Sequence, residues 1–181
     1  VVYFGDALTG EFEFNANSIA NTGSYDAQVD GSTVAIEGAQ KNLDDVSADA
    51  EVTLTRMQNL DTIDLNVNAI GNTMTAINSG DTIFDFGQVN SGESVEATLT
   101  AGFYANQQTI SATETNINVN AIANSFALES DGNVFASLAQ VNHADVSTNV
   151  HIVMDGLRDP INVNAIGNSI SIRGIDTPDT P

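Results

Sequence analysis

The stretch INVNAIGNSISI, residues 161–172, sets three asparagines among apolar residues in what should be an ordinary β-strand. Asparagine is poor in strands and common in turns, where its short amide tolerates left-handed backbone angles. The stretch also recurs. NVNAIGNTM begins at Asn66, NVNAIANSF at Asn118 and NVNAIGNSI at Asn162, with a degraded copy, NANSIANTG, from Asn15. A second set lies between them: QKNLDDV from Gln40, QVNSGES from Gln88 and QVNHADV from Gln140. Both sets open on amide–x–Asn. The leading amide alternates strictly through Asn15, Gln40, Asn66, Gln88, Asn118, Gln140 and Asn162, with gaps of 25, 26, 22, 30, 22 and 22 residues. The chain is a repeat protein.

A 22-residue unit is too short for most helix-pair repeats, whose periods start near 33 residues. Period-two alternation follows the amide motifs instead, as in Val46, Ala48, Ala50, Val52 and Leu54, or Val146, Val150, Ile152 and Met154. Gly, Asp and Asn punctuate these runs, and the three prolines all lie beyond residue 159. Leucine is too scarce for a leucine-rich repeat. The expected fold is all-β: a β-solenoid of about seven coils stacked roughly 4.8 Å apart. The minimal coil is 22 residues, and Asn-led coils alternate with Gln-led ones. Longer gaps hold loop insertions, the largest expected near residues 103–114. Residues 15–172 form the repeats, 1–14 an N-terminal strand and 173–181 a Pro-rich tail.

Stacking explains the asparagines. In register, one Asn becomes a column of Asn, and each amide can donate to one neighbour and accept from the other. An unsatisfied buried amide costs about 1–3 kcal/mol, whereas a laddered one is satisfied. The expected ladder residues are Asn15, Asn17, Gln40, Asn42, Asn66, Asn68, Asn72, Gln88, Asn90, Asn118, Asn120, Asn124, Gln140, Asn142, Asn162, Asn164 and Asn168. Solvent-facing turn amides without a ladder are the bland alternative.

Charge narrows the function. The formal net charge is −20, with Lys41, Arg56, Arg158 and Arg173 the only basic residues besides two histidines. Nucleic acid is excluded as a partner, since neutralising phosphates needs many basic side chains. Anionic membrane surfaces are disfavoured for the same reason, and no apolar run is long enough for insertion. Cysteine is absent, so there are no disulfides or thiolate metal sites. A first residue other than Met suits a processed, secreted chain. Rare Lys with abundant Asn, Thr, Ser, Ala and Gly suits a bacterial surface protein.

No catalytic constellation emerges, and none is expected. Asp44 and Asp45 are adjacent carboxylates, but acidic-glycan chemistry also needs basic residues, and these two occupy a solvent-facing arc. His143 and His151 could join Asp145 or Asp155 around a metal, yet they stand eight residues apart in outward-looking positions, so no metal site is assigned. Calcium could use the Asp and Asn of the turns at 78–82, 129–133 and 156–160. The calcium-binding G-G-x-G-x-D repeat is absent, so no cofactor is assigned. A regular Thr-x-Thr array, as ice binding requires, is also missing.

Repeat length and amide spacing, carried by Gln88-Val89-Asn90, Gln140-Val141-Asn142 and the Asn-led units over residues 15–172, resemble the curlins, subunits of bacterial curli fibres. Where the curlin pattern Gln-x-Gly-x-x-Asn-x-Ala has Gly, this chain has Asn42, Asn90 and Asn142. The chain is also similar to holdfast-attachment proteins. The resemblance implies a secreted structural subunit that polymerises into adhesive or biofilm-matrix fibres, with surface polysaccharide as a candidate ligand. A monomeric adhesin or phage-fibre module is the alternative, and a glycan-active enzyme ranks third.

Solenoid ends expose unpaired edges. Counting coils leaves half a coil at each end, so the N-terminal strand of one copy is expected to complete the last coil of the next. That makes a head-to-tail homopolymer with an axial rise of about 34 Å from seven rungs of roughly 4.8 Å. Val1, Val2, Tyr3, Phe4, Phe12, Phe14, Ile166, Ile170 and Ile172 are the expected interface. Folding of the N-terminal strand onto its own first coil is the competing arrangement.

Overall fold

A computed structural model describes residues 2–4, 8–27, 33–55, 57–104, 114–154 and 161–174. These form eleven strands: β1 (Val2–Phe4), β2 (Leu8–Ala27), β3 (Val34–Asn42), β4 (Val46–Thr55), β5 (Met57–Asn78), β6 (Thr82–Asn90), β7 (Ser94–Tyr104), β8 (Glu114–Ser130), β9 (Val134–Asn142), β10 (Asp145–Met154) and β11 (Ile161–Gly174). Every pairing is parallel, and the strands sort into three sheets. The Asn sheet runs β2-β5-β8-β11, the Gln sheet β3-β6-β9, and the return sheet β1-β4-β7-β10. The fold is therefore a β-solenoid, as the repeats require.

The coil, however, is twice the expected one. Each full turn takes one strand from each sheet: β2-β3-β4, then β5-β6-β7, then β8-β9-β10, with β11 opening a fourth turn. Among the described residues three complete coils replace the expected seven. Asn66 sits over Asn15 at a separation of 51 residues, Asn118 over Asn66 at 52 and Asn162 over Asn118 at 44. Gln88 sits over Gln40 at 48 residues and Gln140 over Gln88 at 52. Asn-led and Gln-led units are thus two sides of one coil, not alternate coils. The reason is steric. Gln is one methylene longer than Asn, so a mixed column would not bring successive amides level, whereas two pure columns do.

The long strands of the Asn sheet bend near their middle, and this bend makes two interiors. Up to Ala69, alternate residues such as Ile63, Leu65 and Val67 face the return sheet; they pack with Val52, Leu54, Val95 and Leu99 in the larger core. At the bend the alternation breaks, and Gly71 and Asn72 are both buried, as are Ala123 and Asn124. Beyond it, Met74, Ala76, Phe126 and Leu128 face the Gln sheet and meet Phe84. Phe84 and Phe126 pack edge to face with centroids 5.0 Å apart, a geometry the ring quadrupoles favour.

Glycine is required where turns stack. A Cβ on Gly92 would lie 2.2 Å from the Asp44 carbonyl oxygen, and one on Gly132 only 2.5 Å from the carbonyl carbon of Gly80. The turn holding Gly92 is one residue longer than its counterparts above and below, as the registers Asn42↔Asn90, Val46↔Val95, Asn90↔Asn142 and Asp145↔Ser94 require.

Candidate functional site: the amide columns and the two ends of the stack

Five amide columns run along the solenoid, in two environments. Two stand on the outer face of the Asn sheet. In the first, Asn66 donates to Asn15 (2.9 Å), Asn118 to Asn66 (3.0 Å) and Asn162 to Asn118 (3.0 Å). In the second, Asn68 donates to Asn17 (2.7 Å), Asn120 to Asn68 (2.8 Å) and Asn164 to Asn120 (2.8 Å). Alternation forces this placement: Val67 and Ala69 point inward, so Asn66 and Asn68 point out. These residues are on strands, in ladders and exposed or half-buried, a combination that neither a buried ladder nor isolated turn amides anticipates.

The other three columns fill the waist between the two apolar cores. Asn21 donates to Asn72, Asn72 to Asn124 and Asn124 to Asn168, each at 2.7 Å. Gln88 donates to Gln40 (2.8 Å) and Gln140 to Gln88 (2.7 Å). Asn42 donates to Asn90 (2.8 Å), and Asn90 to Asn142 (3.3 Å). Asn72, Asn90 and Asn124 are fully buried, and Gln88 is 1% exposed. Apart from Asn90, each buried amide has a second duty. Asn72 and Asn124 donate to the carbonyls of Val89 and Val141, tying the bend of the Asn sheet to the end of the Gln sheet. Gln40, Gln88 and Gln140 donate to the carbonyls of Thr73, Ser125 and Ser169, one coil further on. Asn42 and Asn142 close their own turns on the carbonyls of Asp44 and Ala144. A hydrocarbon here would orphan carbonyls in a dry interior, which explains amides at these three positions.

Asn21 belongs to the bend column and was missed, although NANSIANTG aligns it with Asn72. Carboxylate staples between coils were also missed. Asp45 accepts from the backbone N–H groups of Glu93 (2.7 Å) and Ser94 (2.8 Å), and Asp81 accepts from the N–H and the side-chain amide of Asn133. The turn acids at 45 and 81 thus bind the coil above. Among the described residues, no group of three or more His, Cys, Asp or Glu side chains is placed to hold a metal. His143 and His151 are exposed. Asp155, the turn at 156–160, and most of the 103–114 insertion lie outside the described residues.

Both ends of the stack are open among the described residues. At one end the terminal strands are β1, β2 and β3; at the other, β9, β10 and β11. β1 pairs with β4 through Val2↔Val52 to Phe4↔Leu54, so it occupies the return-sheet place beneath the first coil. Val1 and the side chains of Val2, Tyr3 and Phe4 lie outside the described residues. Phe12 and Phe14 pack against the larger core. Ile166, Ile170 and Ile172 are 36%, 49% and 47% exposed on β11. At the β2 end an open depression of about 430 Å³ is lined by Ile19, Asn21, Asn42 and Leu43, among others. Column polarity differs between the ends. The two outer columns donate toward β2, leaving Asn162 and Asn164 carbonyl oxygens at the β11 end and Asn15 and Asn17 amide nitrogens at the other.

No curated protein and no solved structure matches the chain. A family model does match, over residues 9–180, and it supports the holdfast-attachment side of the resemblance noted above. The chain belongs to the family described as Holdfast attachment protein D (HfaD).

Proposed function

We propose that this protein is a secreted structural subunit that attaches a bacterial cell to a surface, and that copies assemble head to tail by continuing the β-stack. Family membership supports the attachment role. The observation carrying the assembly is the complementarity of the ends. β2 of an incoming copy adds to β11, so that Asn15 and Asn17 donate to Asn162 and Asn164 and both outer columns run on unbroken. β1 adds to β10 in the return sheet, the place it takes beneath β4 within its own chain. Such a filament grows by closing no ring, as heterologous interfaces do. The outer Asn columns and the Ile19 to Ile166 column form a flat, repeating face suited to contact with surface polysaccharide.

Each copy contributes four strands to the Asn sheet and four to the return sheet. The axial rise should therefore be about 19 Å, four rungs of roughly 4.8 Å, in place of the 34 Å that seven rungs require. Electron microscopy of the pure chain tests this: filaments with that rise support the assembly, and a persistent compact monomer refutes it in favour of a monomeric adhesin. Removing residues 1–7 should leave a folded subunit that elongates poorly. With a charge of −20 per copy, added salt should speed assembly by screening, sodium and calcium acting alike at matched ionic strength.

A further inference from the structure

The outer faces of the three sheets differ in chemistry, most clearly on the middle coil, whose strands are paired on both edges. There β7 turns Glu96, Thr98 and Thr100 outward, and β5 turns out Asp64, Asn66, Asn68 and Thr73. β6 presents Ile83, Asp85, Gly87 and Val89, because Phe84, Phe86 and Gln88 face inward. Ile83 is 46% exposed although β3 and β9 flank its strand, so its exposure owes nothing to the ends of the stack. Gly87 has no internal reason to be glycine. Its backbone is not left-handed, and a Cβ there would meet nothing nearer than the Ala39 Cβ at 3.8 Å. Glycine weakens a strand interior and often marks the close approach of another backbone. Ala39 and Ala139 lie in register with it, which makes a shallow trough along the solenoid axis.

Charge decides what fits this face. Glu37 and Lys41 are both exposed on β3, one on each side of Ala39. Four residues of extended strand hold them about 13 Å apart, too far to pair with each other. Among the described residues, the outer face of the Gln sheet carries Glu37, Asp85 and Lys41, whereas the return sheet sets Asp49, Glu51 and Glu96 against no Lys or Arg. For a chain of net charge −20, the Gln sheet is the face on which two copies meet with least repulsion.

We infer that the outer face of the Gln sheet is a contact surface for a second copy of this chain, related by a two-fold axis that follows the trough parallel to the stack. Such an axis sets Glu37 of each copy opposite Lys41 of the other. It also lays Ala39, Gly87 and Ala139 against their own mates, where the lack of side chains lets the two sheets approach, with Ile83 and Val89 leaving water on either side. A two-fold along the strands is the other choice. Centred on β6, it would stack Asp85 on Asp85 and leave Lys41 facing Val141, and like charges in contact are costly. The favoured contact is isologous, so it closes at two copies. Its axis leaves both ends of each solenoid free, so it neither requires nor blocks the head-to-tail growth proposed above.

Sedimentation equilibrium of the full chain in physiological salt tests this, since such salt screens repulsion beyond about 8 Å. The parent should pair reversibly. Glu37→Lys or Lys41→Glu alone sets like charges together at both sides of the trough and should weaken pairing about tenfold. The two exchanges combined should restore the parental constant, a rescue that no pair within one chain can supply. Gly87→Tyr should abolish pairing while the thermal midpoint stays level or rises, because the position has room and aromatic residues favour strands. Where filaments form, the same variants are scored on width by electron microscopy, two solenoids against one. A parent that never pairs, a double exchange no better than either single one, or a Gly87→Tyr chain that pairs like the parent overturns the inference. Failure of head-to-tail growth would instead leave dimers, and failure of the lateral contact would leave filaments one solenoid wide.

Discussion

The outer Asn columns and the waist columns use the same amide, the same coil-to-coil spacing and bonds of similar length, 2.7–3.0 Å in the outer ladders. They differ in what replaces a lost bond. Beside Asn68 or Asn120 water stands ready to bond whatever is orphaned. Beside Asn72, Asn124 or Gln88 there is none, and each of these amides also satisfies a backbone carbonyl from another strand. A ladder is therefore a stabilising device only where it is dry; on the outer face it aligns side chains at small net energy.

Substitution should separate the two regions sharply. Asn124→Leu should be the costliest change, about 3–5 kcal/mol, because it orphans the Val141 carbonyl and breaks the column toward both Asn72 and Asn168. Urea unfolding of the single variant measures it, and a loss under 1 kcal/mol would mean the waist is wet. Next comes Gly132→Ala, with an expected loss of about 2–3 kcal/mol. Its Cβ would meet only backbone atoms of the turn below, which cannot move aside as a side chain can. Asn120→Leu on the outer face should cost about 1 kcal/mol, and a value matching Asn124→Leu would erase the distinction between the regions. Smallest is Arg173→Ala. Its ion pair with Glu129 spans 3.8 Å with the arginine side chain 77% exposed, so the thermal midpoint should register no more than about 0.5 kcal/mol.

Solenoid class was legible in the sequence because columns repeat themselves, and self-similarity survives without any knowledge of packing. The coil length was not. Asn66 and Gln88 share the motif amide–x–Asn for different reasons: Asn66 is an outer ladder residue on a strand, Gln88 an interior residue that crosses to Ser125. Motif likeness joined what the fold keeps on separate sides. Burial was equally hidden. The pattern NVNAIGN puts Asn68 and Asn72 four apart, and strict alternation would place them on one face. The bend at Gly71 turns the second inward and leaves the first outside. Asp45 was read as a solvated turn acid, and it is indeed exposed; its bonds to the next coil, like those of the half-buried Asp81, depend on turn heights that no local pattern encodes.

The orientation of the amides has a kinetic corollary. Within each column every amide points the same way, and reversing one would set nitrogen against nitrogen on one side and oxygen against oxygen on the other. The columns therefore switch together or not at all. In the first outer column the direction is anchored by Asn15, whose amide nitrogen is held by Glu13 at 2.7 Å; in the waist it is anchored at nearly every rung by a backbone carbonyl. A subunit thus arrives at a growing tip with its arrow already drawn. The outer and Gln columns present oxygens at the β11 tip and amide hydrogens at the β2 tip, while the columns starting at Asn21 and Asn42 run the opposite way, so the two tips are not equivalent and should add subunits at unequal speeds.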